Sequence, residues 1–247
     1  MNTPVFAERI AKASPRPGAR TTGVVYLLYF LTAVSGELFI RGIIVSGDPA
    51  ATATNILAHE RLFRLSVAVG LIGTALYIAV TVLFYRLFKP VNKTVSLLAA
   101  FFSLVGCAIQ AFGSLFQVAP LAVLEGNPYL SVFKADQLQA VALMFIKLNV
   151  QTTYIYLVFF GLFNLLIGYL IFGSTFLPRV LGGLMAFAGL GWLTYLSNPL
   201  VTHLSPYNLG CGLSGDVSVY LWLLVMGVNV QRWKEQASTA RSSDAAS

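Results

Sequence analysis

Six apolar stretches, each long enough to cross a hydrocarbon core, constrain this chain more than any other feature. A membrane-spanning helix needs about 20 consecutive, mostly apolar residues. Such stretches lie at 22–44, 64–87, 95–121, 149–172, 178–197 and 212–231. In hydrocarbon every backbone N–H and C=O must find its partner inside the protein, so segments of this kind are helices. The chain is 57% hydrophobic and 10% charged, too few charges to coat a water-facing surface. The expected fold is an all-α integral membrane protein, a six-transmembrane-helix bundle with short helices on its outer face. One domain covers 22–233, between disordered cytoplasmic tails at 1–21 and 234–247.

The net charge of +7 would suit a nucleic-acid binder, but its distribution argues for topology instead. Arg9, Lys12, Arg16 and Arg20 precede the first span. Arg86, Lys89 and Lys93 lie between the second and third, Arg179 between the fourth and fifth, and Arg232, Lys234 and Arg241 after the sixth. With six spans these all fall on one side, while Asp48, Glu60, Glu125 and Asp136 fall on the other. Basic loops mark the cytoplasmic face, so both termini are expected inside, with Trp233 in the interfacial aromatic belt. The expected location is a cytoplasmic membrane, with membrane lipids as partners. No basic stripe interleaves with exposed aromatics, and no nucleic acid is expected. Homo-oligomerisation stays open.

The N-terminus admits an alternative. Basic residues up to Arg20, an apolar run over Val24–Thr32 and the small residues Ala33-Val34-Ser35 also fit a cleavable signal peptide. Against that, apolar residues resume at Leu38, Phe39 and Ile40. Cys107 and Cys211 fall at different depths and are read as packing thiols. No Cys/His cluster points to a metal, and no cofactor is expected.

Asp48-Pro49 reads as an N-cap with proline in the first helical position, opening a helix over 50–60, with a straight continuation into the second span left open. Asp136 is a second cap. A helix unbroken from there to Phe172 would be about 55 Å long, so it must project, tilt or bend near Lys147–Thr153.

Ionisable residues within spans are costly and are candidate functional sites. Glu37 and Arg41, spaced i and i+4, share one face of the first span. Arg61 and Arg64 open the second, Lys147 and Gln151 the fourth, and Asp216 lies one turn inside the sixth. These residues share one stratum near the outer surface. They would form an outward-facing polar pocket for a lipid headgroup or small amphiphile, the arginines holding anionic groups. The same residues also fit plain structural pairing, Glu37 with Arg41 and Asp216 with Arg64, with Lys147 reaching to the interface.

A second pattern is a small-and-polar stripe. Ser103, Gly106, Gln110, Gly113 and Gln117 share a face of the third span, and Gln151, Tyr154, Gly161, Asn164 and Gly168 a broadly similar face of the fourth. Small residues let membrane helices approach and amides bond across them, so the stripe is read as packing, with a polar pathway as the alternative. Catalytic signatures are sparse. His59 and His203 are isolated, and no HExxH, GxSxG or phosphate-binding loop occurs. The leading expectation is therefore non-enzymatic binding or transport of a lipid or small amphiphile. The alternatives are a membrane-embedded enzyme using Glu37 or Asp216 as acid–base group, and a structural, partner-binding protein.

Several stretches carry a family resemblance: GDPAATATNILAHERLFRL (47–65), LFKPVNKTVSLLAAFFSLV (87–105), LQAVALMFIKL (138–148), VFFGLFNLLIGYLIFGSTFLPRVLGGL (158–184) and LWLLVMGVN (221–229). Together they resemble the domain-of-unknown-function 4386 family of bacterial multi-pass membrane proteins, from about Gly23 to Asn229. The resemblance implies an all-helical membrane protein and no assigned activity. Family members often carry a histidine in the segment matching Phe163-Asn164 and another near Asn149–Thr153. This chain has Asn164 and Gln151 there, so the resemblance implies no histidine chemistry at either place.

Overall fold

The computed structural model of the protein describes residues 15–246, which contain nine α-helices and no strand. They are α1 (Pro15–Ile40), α2 (Pro49–Ala58), α3 (Glu60–Phe88), α4 (Lys93–Leu124), α5 (Ala135–Gly173), α6 (Arg179–Leu193), α7 (Asn198–Leu204), α8 (Tyr207–Val225) and α9 (Val230–Ala246). Short 3-10 turns occupy Pro128–Leu130 and Thr194–Leu196. Six helices are long and apolar enough to span a membrane: α1, α3, α4, α5, α6 with its 3-10 extension, and α8. Leu38, Ile72, Phe101, Phe112, Leu115 and Phe187 on these helices are more than half exposed, a pattern that suits lipid and not water.

Helix ends follow local chemistry. Asp48 accepts a hydrogen bond from Ala51 N at 2.9 Å, and Pro49 fills the first position of α2, as the sequence led one to expect. His59 ends α2, so the helix does not run straight into α3. Helix α1 stops at Ile40, short of the expected residue 44, because Gly42 takes φ +82°, where a side chain would be strained. Helix α5 is continuous over 39 residues, about 58 Å at 1.5 Å each, with no break near Lys147–Thr153. Helix α8 starts at Tyr207, five residues before the expected 212, because Pro206 caps it and its early glycines sit within the helix.

Two expected tails need correction. Residues 15–21, expected to be disordered, form the start of α1, and the rest of that segment lies outside the described residues. Residues 234–246, also expected to be disordered, belong to α9. Trp233 is not simply an interfacial anchor, since its indole donates to Leu87 O at 3.0 Å.

The chain divides into two compact units. Among the described residues unit 1 comprises 15–27, 78–104 and 157–246. Its core includes Tyr26, Phe84, Phe88, Phe163, Met185 and Leu223. Phe84 packs edge-on to Tyr26 and Phe163 and stacks on Phe88. Helices α5 and α6 meet backbone to backbone: a Cβ on Gly168 would lie 2.8 Å from Gly182 O, and one on Gly182 would lie 2.9 Å from Gly168 O. Close approach through small residues supplies the packing that hydrophobicity cannot supply between helices in lipid.

Unit 2 comprises 28–77 and 105–156. Ile43, Ile56, Phe63, Leu121 and Ile146 form its apolar cluster. Asn149 Nδ2 donates to Gly113 O at 2.9 Å, and Gln117 Nε2 to Ser66 Oγ at 3.2 Å. Each bond ties two helices across an apolar interior.

Candidate functional site

Asp216 sits at the middle of α8, not one turn from its start. Three side chains of unit 1, each on a different helix, donate to its carboxylate. Tyr26 Oη on α1 and Asn164 Nδ2 on α5 reach Oδ1 at 2.8 Å each, and Trp192 Nε1 on α6 reaches Oδ2 at 3.3 Å. The indole is held by a glycine. A Cβ on Gly212 would fall 2.4 Å from the Trp192 ring, so only glycine allows the ring to lie against α8. Tyr26 is fixed by Phe84 and by Tyr220, whose ring centroid is 5.8 Å away.

All three partners are neutral, and among the described residues no cation pairs with Asp216. A carboxylate only accepts hydrogen bonds, at about four lone-pair sites, so at least one remains open here. The carboxylate also fixes the orientation of the Asn164 amide: Nδ2 must face it, which turns Oδ1 away. That oxygen is buried and among the described residues has no hydrogen-bond partner. Buried acceptors left unpaired are uncommon, and one beside a carboxylate that has capacity to spare suits a guest rich in N–H donors or carrying positive charge.

The other predicted residues lie in unit 2. Glu37, Arg41, Arg61, Arg64, Lys147 and Gln151 are all exposed. Among the described residues the ion pairs are those of Arg64, with Glu60 at 2.7 Å and with Glu125. The alternative pairings of Arg64 with Asp216 and of Glu37 with Arg41 are thus not the ones formed. Arg64 finds a carboxylate one turn back on its own helix and another at the end of α4, which costs it little reach. Half-exposed pairs of this kind contribute little and are screened by salt. Arg64→Met should therefore move the thermal midpoint only slightly at low salt and not at all in 0.5 M salt, where the Debye length falls to about 4 Å. A large, salt-independent fall in a melting experiment would contradict this.

Of the polar stripe, Ser103 Oγ bonds Thr81 Oγ1 at 2.6 Å within unit 1, and Gln117 bonds Ser66 within unit 2. Gln110 Oε1 is buried without a partner, and Asn164 serves Asp216. Tyr26 and Trp192 escaped notice in the sequence because both read as apolar bulk. Their signal is the single polar atom each carries, which inside hydrocarbon must find a partner. Among the described residues no three His, Cys, Asp or Glu side chains cluster as metal ligands, and neither Cys107 nor Cys211 is in a disulfide.

Helices and site together define a multi-pass, all-helical membrane protein with a carboxylate at the centre of one span. A family model described as "Domain of unknown function (DUF4386)" matches residues 21–227. The chain belongs to this family. It is also similar to an uncharacterised protein of Archaeoglobus fulgidus, 26% identical over 153 residues, covering 61% of this chain and 76% of that protein. No solved structure matches.

Proposed function

We propose that this protein binds and moves a lipid or small amphiphile without converting it chemically, and that Asp216 holds the donor-bearing end of that molecule. The observation that carries the reading is a mid-span carboxylate met only by neutral donors, beside the unpartnered Asn164 Oδ1. An ammonium-bearing amphiphile complements both acceptors. In this reading Glu37, Arg41, Arg61, Arg64, Lys147 and Gln151 supply the outward-facing polar surface. The protein works in a bacterial cytoplasmic membrane with both termini inside, a placement supported by the basic residues Arg86, Lys89, Arg179, Arg232 and Lys234.

The test is native mass spectrometry of the gently solubilised protein beside Asp216→Asn, Glu37→Gln and Arg41→Ala. Asparagine preserves volume and removes the charge, and its amide can re-pair once Tyr26 and Asn164 reorient. The expected result is a co-purified amphiphile, chemically unaltered on release, that wild type retains and folded Asp216→Asn loses. Equal retention by Asp216→Asn, or no adduct in any form, would sink the assignment.

A further inference from the structure

Helix α9 is attached to the turn between α5 and α6 by a small set of polar bonds. Gln236 Nε2 donates to Gly173 O at 3.1 Å, while its Oε1 accepts from Thr175 N and Thr175 Oγ1 at 3.2 Å each. Arg232 Nη1 donates to Thr175 O at 3.4 Å. The attachment leaves a cavity of about 700 Å³ lined by Ser174, Thr175, Arg179, Arg232, Glu235 and Gln236, among others.

The hydrogen-bonding balance in this cavity is lopsided. Gln236 has both ends of its amide occupied. Arg232 commits one of its five N–H donors, and among the described residues Arg179 commits none. Glu235 shares the lining, yet among the described residues neither arginine forms an ion pair with it. Arg179 opens α6, whose N-cap, Pro178, offers no side-chain hydrogen bond; Leu181 N bonds Pro178 O at 3.1 Å, which leaves the N–H groups of Arg179 and Val180 at the helix start as further donors. Two guanidinium forks with spare donors fit the oxygens of a phosphate group.

A second cavity, of about 370 Å³, shares Thr175, Leu177 and Arg232 with the first. Its character is different. Phe176, Pro178, Trp222, Met226 and Val228 give it an apolar wall. A polar pocket with two arginines that continues into an apolar groove matches a molecule with a phosphate at one end and hydrocarbon at the other. The site also adjoins the ends of three membrane-spanning helices, α5, α6 and α8, where phospholipid headgroups lie.

We infer that Arg179 and Arg232 form a binding site for the phosphodiester of an anionic phospholipid, with the start of its hydrocarbon in the groove beside Trp222 and Met226. This site shares no residue with Asp216 and does not depend on the amphiphile proposed there. Glu235 limits how much negative charge the pocket tolerates, which favours a single phosphodiester over a dianionic phosphate.

The test is titration of the full-length, detergent-solubilised protein with phosphatidylglycerol, read by native mass spectrometry, with inorganic phosphate as competitor. Arg179→Gln is the primary variant, because among the described residues that side chain makes no hydrogen bond whose loss could unfold the protein. The double variant Arg179→Gln/Arg232→Gln is compared with Lys234→Gln/Arg241→Gln, which removes the same charge from outside the cavity. The single variant should lose about fivefold in affinity and the double variant tenfold or more, while the charge-matched control stays within about twofold of wild type. Millimolar inorganic phosphate should leave the lipid bound, and Asp216→Asn should bind it as wild type does. An equal loss in the charge-matched control would reduce the effect to general attraction by the basic segment and overturn the site. Displacement of the lipid by inorganic phosphate would assign the pocket to a soluble anion and overturn the lipid. Loss of phosphatidylglycerol from Asp216→Asn would overturn the independence of the two sites.

Discussion

Replacing Asp216 by alanine should destabilise the solubilised protein by about 3 kcal/mol or more, because three donors lose their acceptor at once and each stranded group costs about 1–3 kcal/mol. Tyr26, Asn164 and Trp192 come from α1, α5 and α6, and two of them are buried almost completely. Asn164 is 1% exposed and Tyr26 2%, so neither reaches water or a lipid headgroup as a substitute. Asparagine at the same place should be far milder. Its amide still accepts, the Tyr26 hydroxyl turns to accept in its place, and the Asn164 amide flips to present its spare oxygen. The measurement is the thermal midpoint of both variants in one detergent. Equal falls would mean that the three donors find other partners. The contrast also makes Asp216→Asn the useful variant for ligand work, since it separates loss of charge from loss of fold.

A comparable effect is expected from Gly168→Val. The new Cβ would lie 2.8 Å from Gly182 O and 3.0 Å from Ala186 N, both backbone atoms that no rotamer change can move. Helices α5 and α6 would have to separate, at a cost of about 3 kcal/mol, the upper range for overpacking, with further loss wherever the contact reopens. Gly70→Ala provides the control, since a Cβ there meets nothing within 4 Å. The yield of monodisperse protein and its thermal midpoint should both fall for Gly168→Val and hold for Gly70→Ala. If both variants behave alike, the α5–α6 contact is looser than the geometry implies.

The six spans were legible in the sequence because the bilayer imposes a length and a composition that no short-range effect overrides. Boundaries were less legible where special backbone or capping intervened, as at Gly42 and Pro206. The error at Pro206 had a functional consequence: an α8 starting at 212 puts Asp216 near the surface, whereas one starting at Tyr207 puts it in mid-span. Charge was legible and its partners were not. The i, i+4 spacing of Glu37 and Arg41 suggested a pair, yet Arg64 pairs with Glu60 and Glu125, of which only Glu60 is near it in sequence. The partners of Asp216 lie 24, 52 and 190 residues away, separations no local pattern reveals. Helix α9 was missed because Ser and Ala in a polar, charged segment suggested disorder. The same residues, with Gln, Lys and Glu, also suit a helix once Trp233 and Gln236 have something to hold.

The bonding of α9 bears on how the protein is handled in the laboratory. Trimming a polar C-terminal extension after the last span is routine when membrane proteins are prepared for crystallisation or fused to a reporter. Cutting after Asn229 would remove Arg232 and Gln236 from their cavity, strip Leu87 O of the Trp233 indole and leave the α5–α6 turn without its clasp. Such a shortened protein would still hold every apolar helix and still enter a membrane. A tag or fusion partner therefore belongs after residue 246, and a shortened version that behaves poorly in solution should be lengthened before its detergent is changed.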